Sequence, residues 1–204
     1  MRTAESGTLS SIPRVFYSIS MSNQIVTTPN QVLRKNAIAV KETEFGTSGL
    51  VKTIDAMSKA LRATSEGIGI AAPQIGISKR IFLASEEALV IDKKLKHPDD
   101  RFGKEKDTDK KWEYYTFINP EIIKISTKKF NGVEGCLSVP KKYGEVERAE
   151  KIRVRARDEK GHVFERGASK LFARLIQHEI DHLNGVLFID KVKKLTVVKE
   201  TENT

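Results

Sequence analysis

Between Ser169 and Leu183 the apolar residues Leu171, Phe172, Leu175, Ile176, Ile180 and Leu183 recur three and four apart, which predicts a helix with one broad apolar face. Lys170, Arg174, Gln177 and Asp181 fall on the other side of that wheel, so solvent is expected there. Gly185 follows the last turn, where a left-handed C-terminal cap belongs. The same period runs from Ser48 to Thr64 through Leu50, Val51, Ile54, Met57 and Leu61, with Ser48 as N-cap and Gly67 closing the far end. A period of two replaces it over Ile152-Arg153-Val154-Arg155-Ala156-Arg157, which predicts a strand with arginines facing outward. Residues 158–161 then turn the chain, and His162-Val163-Phe164 returns as a hairpin. Further strands are predicted over Arg80–Leu83, from Trp112 through Tyr114, Tyr115 and Phe117 to Asn119-Pro120, and over Glu121–Phe130. Ile25-Val26 reads as a short extended entry and Gln31–Arg34 as a helical turn.

Composition bounds this picture. A chain of 204 residues with 39% hydrophobic content fills one domain with some excess. The excess is placed in a disordered extension over residues 1–24 and a polar tail over 195–204, leaving 25–194 as the folded domain. Residues 92–113 hold eight basic and seven acidic side chains and are expected to form a charged, solvated insertion. The lone cysteine excludes an intrachain disulfide framework and suits a reducing cytoplasm; an organellar location would require the extension to be a true transit peptide, and Met21 offers an alternative start. No apolar run has the length of a membrane span, so no membrane partner is expected, and no DNA partner either. The net charge is +9, and residues 140–174 carry eleven basic and six acidic side chains. A solvated sheet face accounts for that surplus; contact with ribosomal RNA, there or through Lys191–Lys194, is the functional reading. The aromatics around Trp112 are expected in the core rather than stacked on bases.

Chemistry enters at Gln177-His178-Glu179-Ile180-Asp181-His182. Two histidines four apart project from one helical face, a spacing that lets both imidazoles reach one ion. Glu179 lies at the rim of that face, and H-E-x-x-H is the pattern of metal-dependent hydrolases in which the glutamate moves protons for an activated water. Two histidines on a half-buried helix with a chance glutamate between them is the bland alternative. An open catalytic site needs a third protein ligand. His97 and His162 stand in contexts that do not suit one. Cys136, in Val133-Glu134-Gly135-Cys136-Leu137-Ser138-Val139-Pro140, does suit one, although a lone cysteine is more often a small buried hydrophobe. Gly135 allows close backbone approach there, and Pro140 is expected to end the extended segment. A third stretch, residues 67–77, is a glycine-punctuated turn with backbone open to a ligand and Gln74 offering an amide; close packing explains it equally well.

Together these stretches resemble the peptide deformylases, whose three motifs read G-φ-G-φ-A-A-x-Q, E-G-C-L-S and Q-H-E-x-D-H, with φ apolar. Here they stand in that order at Gly67-Ile68-Gly69-Ile70-Ala71-Ala72-Pro73-Gln74, Glu134-Gly135-Cys136-Leu137-Ser138 and residues 177–182. The resemblance covers about residues 25–194; the extension and the charged insertion depart from the compact pattern. It implies an α+β fold of short, mostly antiparallel sheets wrapped around a central metal-binding helix. It implies removal of the formyl group from the N-terminal formyl-methionine of newly made polypeptides. The ligands it implies are Cys136, His178 and His182, holding one divalent metal, iron(II) by preference, with zinc, nickel or cobalt as alternatives. Catalytic roles fall to Glu179 as proton carrier and to Gln74 and the Leu137 N–H at the developing oxyanion. The peptide would lie as an added strand near Ile68, Gly69 and Gly135, its methionine in an apolar pocket by Ile68, Leu171 and Leu175.

Two rivals are carried. A zinc endopeptidase would draw its third ligand from a downstream acid, where only Glu200 and Glu202 are offered among the glutamates and histidines beyond His182. A ribosome- or RNA-binding module would use a structural metal with four protein ligands.

Overall fold

The computed structural model describes residues 24–94 and 112–198. Expectations for residues 1–23, for 95–111 of the insertion and for 199–204 therefore lie outside the described residues. In chain order the elements are α1 (Ser48–Arg62), β1 (Gly69–Ala71), β2 (Ile81–Ser85), α2 (Glu87–Lys94), β3 (Tyr114–Ile125), β4 (Lys129–Cys136), β5 (Val139–Ala149), β6 (Lys151–Arg157), β7 (Val163–Ser169), α3 (Lys170–Leu183) and β8 (Leu195–Val197). They form an α+β fold with a five-stranded sheet, β1-β2-β3-β6-β7, and a three-stranded sheet, β4-β5-β8. Every ladder between these strands is antiparallel.

Helix α3 is the element both sheets meet: it packs against β1, β2, β6 and β7 of one and β5 of the other. Its apolar face (Leu171, Phe172, Leu175, Ile176, Ile180, Leu183) sits in a core with Phe82, Phe117 and Val154. Phe82 and Phe117, paired across β2 and β3, stack with ring centroids 4.5 Å apart. Each fully buried side chain of that size contributes about 1.5–3 kcal/mol over exposure, which fixes the helix rigidly. The aromatics of β3 thus belong to packing: Phe117 is fully buried and Tyr115 meets Phe172 edge-on.

Several expectations need correction. Arg174 and Gln177, placed toward solvent by the helical wheel, are 3% and 8% exposed, because a second sheet covers the side of α3 that a one-sided helix would leave wet. Gln177 lines up with the end of β5, its Nε2 donating to the carbonyls of Ala149 and Ala173 and its Oε1 accepting from the Ala149 N–H. Thr47, not Ser48, caps α1, its hydroxyl accepting from the Leu50 N–H, and that helix ends at Arg62, well before Gly67. Val51 is 56% exposed and leaves the buried face of α1. The strand expected to end at Asn119-Pro120 continues through a bend to Ile125 as β3, and the one expected over Glu121–Phe130 is divided, its last two residues opening β4: Asn119 takes φ 50°, its side chain bonds both backbone groups of Val40, and the register to β6 shifts. Pro140 lies inside β5 rather than ending an extended run; Leu137-Ser138 make the turn. α2 reaches into the start of the expected insertion, and β8 emerges from the expected polar tail to pair with β5. The alternation over β6 is as expected, and Gly185 adopts φ +69° after α3.

Candidate active site

Three elements deliver the site. α3 carries His178, Glu179 and His182; the end of β4 carries Cys136; the turn after β1 carries Gln74. The ligand atoms of Cys136, His178 and His182 all lie within 4.8 Å of one another. Cys136 Sγ is 3.2 Å from His182 Nε2. Donors bound tetrahedrally to one ion at about 2.0–2.3 Å stand roughly 3.5 Å apart, so the cluster has the dimensions of a metal site. The two imidazoles sit edge-to-face, centroids 5.0 Å apart.

The surroundings orient these donors. His178 Nδ1 lies 3.0 Å from Glu134 Oε2, which turns its other nitrogen toward the cluster. Glu134 precedes Cys136 by two residues and so projects from the same face of β4. Its buried carboxylate receives Arg148 through Nε at 2.8 Å and Nη2 at 2.9 Å, and Arg174 through Nη1 at 2.8 Å. Burial alone would push the Glu134 carboxyl up; hydrogen bonds from Arg148 and His178 override it and hold it well below the usual range. Burial likewise pulls His178 down, but its bonds to Cys136 and Glu134 win and raise it well above an ordinary histidine. Among the described residues His182 meets no carboxylate, its Nδ1 having no hydrogen-bond partner, and burial together with the charge on His178 keeps it well below. A soft-plus-borderline donor set of one sulfur and two nitrogens, gathered this closely, fits a divalent transition ion.

Glu179 is 2% exposed, and its Oε2 has no hydrogen-bond partner among the described residues. Burial raises its carboxyl to about 7. Gly69 explains how the chain passes so close: a Cβ there would lie 2.5 Å from both Glu179 Oε1 and Leu175 Cδ1. Gln74 is held at both ends of its amide. Oε1 accepts from the Ala71 N–H at 2.8 Å, while Nε2 points at Ser138 Oγ at 3.2 Å and at Cys136 Sγ at 3.6 Å. Leu137 reaches the loop before β1, where its Cδ1 would be 3.0 Å from a Cβ on Gly67. Ile68, Leu171 and Leu175 share the core beside Gly69. Gly135 stands apart from this group in one respect: the ring that excludes a side chain there belongs to Tyr143, 2.6 Å from a Cβ.

The sequence offered Glu134 and Ser138 only as motif letters, Arg174 only as a solvent-facing residue, and Arg148 not at all. The spacing from Glu134 to Cys136 was the available signal; nothing in sequence joins Arg148 to a site 12 residues upstream. The rivals lose ground here. Cys136 stands where it could give the third donor that an endopeptidase would seek downstream, and among the described residues no fourth His, Cys, Asp or Glu joins the cluster as a structural metal would require.

A two-sheet α+β fold around an H-E-x-x-H helix, with a third donor from a neighbouring hairpin and a buried glutamate beside it, defines a metal-dependent hydrolase. The family model for polypeptide deformylase matches residues 22–198, and the chain belongs to that family. It is 36% identical over 176 residues to the peptide deformylase of Syntrophomonas wolfei, spanning 86% of this chain and 97% of that one. It is 38% identical over 192 residues to that of Prochlorococcus marinus, covering 91% and 85%. Among solved structures, a class I type b peptide deformylase from Acinetobacter baumannii bound to Met-Ala-Ser superposes with TM-score 0.68 at 33% identity, over 82% of this chain and 96% of the other. The peptide deformylase of Thermotoga maritima gives 0.67 at 33%, over 84% and 97%.

Proposed function

We propose that this chain hydrolyses the formyl group from the N-terminal formyl-methionine of newly made polypeptides, with Cys136, His178 and His182 holding one divalent ion. Iron(II) is the first choice for that ion, with zinc, nickel and cobalt also suited to the donor set. When bound, the ion supplies Lewis acidity toward the formyl group and the attacking water. Glu179 accepts the proton of that water and delivers it to the leaving amine; a carboxyl poised at about 7 by burial can hold and release a proton at neutral pH. Gln74 Nε2 and the Leu137 N–H donate to the formyl oxygen as charge develops on it.

Among the described residues β1 and β4 are each the outer strand of their sheet. A peptide added as a strand along Ile68, Gly69 and Gly135 runs beside those strands and brings its methionine to Ile68, Leu171 and Leu175. The carrying observation is the convergence of the Cys136, His178 and His182 donors on the helix turn that also holds Glu179. The test is anaerobic purification, metal analysis and an assay on a short formyl-Met peptide. Substoichiometric metal in Cys136→Ser and loss of most turnover in Glu179→Ala with metal retained support the assignment. A Glu179→Ala rate within a few fold of the unaltered protein removes the proton-carrier role.

No helix among the described residues is long and apolar enough to cross a membrane, and a cytoplasmic site of action fits the substrate. A weak ribosome contact is the second element of this reading. The outward arginines of β6 are largely offset, Arg155 by Glu165 at 2.9 Å and Arg157 by Glu42 at 2.9 Å. Lys191–Lys194, of which Lys191 pairs with Asp181 at 2.7 Å, are the other expected contact, and Lys124 and Lys151 at a surface groove lie among the further cations available. Co-sedimentation with ribosomes that weakens steeply with salt supports the contact; absent or salt-insensitive co-sedimentation removes it.

A further inference from the structure

Arg174 is an anomaly on the helix that bears the donors. It stands one turn before His178, and its guanidinium is buried beneath the β4–β5 hairpin, 3% exposed. Nη1 donates to Glu134 Oε1 at 2.8 Å, to the Val146 carbonyl at 2.9 Å and to the Gly132 carbonyl at 3.1 Å. Nη2 donates to the Phe130 carbonyl at 3.1 Å. The acceptors lie on β4 and on β5, so one side chain ties α3 to both strands of the hairpin that carries Cys136. Gly132 is the complement: a Cβ there would lie 2.8 Å from Arg174 Nη2 and 2.9 Å from its Cζ. Phe130 completes the seat, with the guanidinium 4.6 Å from its ring centroid.

Two routes lead from this residue to the donor cluster. One is the carboxylate of Glu134, which Arg174 shares with Arg148 and which in turn meets His178 Nδ1 at 3.0 Å. The other is mechanical. Cys136 arrives on the hairpin, whereas His178 and His182 arrive on the helix, so the sulfur-to-imidazole distance depends on how the two are clamped. Arg148 alone leaves that clamp resting on Glu134 and Asp181. Arg174 adds three carbonyls spread along β4 and β5.

We propose that Arg174, with Gly132 as its seat, is a positioning residue for the metal: it sets the spacing of Cys136 from His178 and His182 and fixes the orientation of His178 through Glu134. The inference rests on the assignment of those three residues as ligands. Partners of ligating histidines typically matter 10–100-fold for metal affinity, and Arg174 belongs to that layer at one remove.

The experiment uses the full chain loaded with cobalt(II), and reads metal release into a chelator and the visible cobalt–sulfur absorption. Arg174→Met, which keeps an unbranched apolar stem without the guanidinium, should release metal at least tenfold faster and shift or weaken that absorption, with KM for a formyl-Met peptide little changed. Arg174→Lys, which keeps the charge and one bond to Glu134, should recover part of both. If Arg174→Met does not fold, Gly132→Ala carries the test by displacing the guanidinium without removing it, and the same faster release is expected. Release within twofold of the unaltered protein and an identical spectrum, in whichever of these variants folds, overturns the inference. Cys136→Ser separates the two claims: if it still binds cobalt as tightly as the unaltered protein, the ligand assignment itself fails, whereas its loss of metal alongside normal retention in Arg174→Met sinks only the positioning role.

Discussion

The Nδ1 of His178 meets Oε2 of Glu134 at 3.0 Å, while the same carboxylate is gripped by Arg148 from the neighbouring strand. A carboxylate has only acceptors, so it orients the imidazole by receiving its Nδ1–H and is itself oriented by the guanidinium. Removing Glu134 therefore does two kinds of damage. In Glu134→Ala, Arg148 and Arg174 lose a buried counter-charge, which costs roughly 3–5 kcal/mol. Metal affinity should also fall 10–100-fold. Denaturant melts and chelator competition read the two losses separately, and a variant that loses neither contradicts the arrangement.

The same carboxylate gives a pH dependence whose sign is fixed. Its folded-state acidity is stronger than the ordinary 4.5 because of Arg148 and His178, despite burial. A carboxyl depressed in the fold contributes stability that is complete above its unfolded value and disappears as pH falls through the folded one. Melting temperature should therefore be flat with respect to this group above about pH 5 and decline on acidification below about 4.5. Thermal melts of the unaltered protein and Glu134→Gln across pH 3–7 should keep a constant gap above about pH 5 and narrow as pH falls from 4.5 to 3; a constant gap down to pH 3 would remove Glu134 as the cause.

How much of this was visible beforehand depends on where the partners of each residue lie. The donors on α3 were legible because helical spacing alone brings His178 and His182 to one face. Cys136 could be offered as a third donor from its glycine- and proline-flanked context, but only the family resemblance joined it to the histidines, since nothing local says that the end of β4 meets a helix more than forty residues later. Arg174 and Gln177 were misplaced for one reason: a helical wheel assumes a single wet side, and their partners, Glu134 and Ala149, come from a second sheet. α2 was missed because Ala88, Leu89, Val90 and Ile91 run together without helical spacing. Asn119-Pro120 looked like a strand end because a proline cannot donate to a ladder, but the strand absorbs it at a bend.

Gly69 offers a sharper test of the site than any charged residue. A methyl group there would sit 2.5 Å from Glu179 Oε1 and from Leu175 Cδ1, well inside contact distance. Gly69→Ala must displace the carboxylate or the leucine, costing roughly 1–3 kcal/mol in stability. Because Glu179 is the proton carrier in the proposed reaction, kcat should drop at least tenfold while bound metal is retained. Metal analysis and steady-state assays on the formyl-Met peptide check both halves. Unchanged kcat in a folded variant would show that Glu179 tolerates displacement and does not act from this position.

Glu179 itself should show a conflict between stability and function. Burial raises its carboxyl to about 7 from an ordinary value of 4.5. A carboxyl raised in the fold is ionised against the preference of its surroundings, so in the metal-free protein its contribution turns unfavourable as pH rises from 4.5 through 7 and stays so above. A shift of that size corresponds to roughly 3 kcal/mol of destabilisation at pH 8. Glu179→Gln keeps the shape without the charge. The metal-free variant should therefore melt higher than the metal-free parent at pH 8, with the difference vanishing near pH 4.5, although turnover on the formyl-Met peptide is lost. The sign is opposite to that expected for Glu134, and so is the window: the Glu134→Gln deficit shrinks on acidification below pH 4.5 and is constant above 5, whereas the Glu179→Gln gain opens between pH 4.5 and 7. A Glu179→Gln protein that melts lower than its parent at pH 8 would mean that the carboxylate has a partner holding its charge, and a different group would then have to carry the proton.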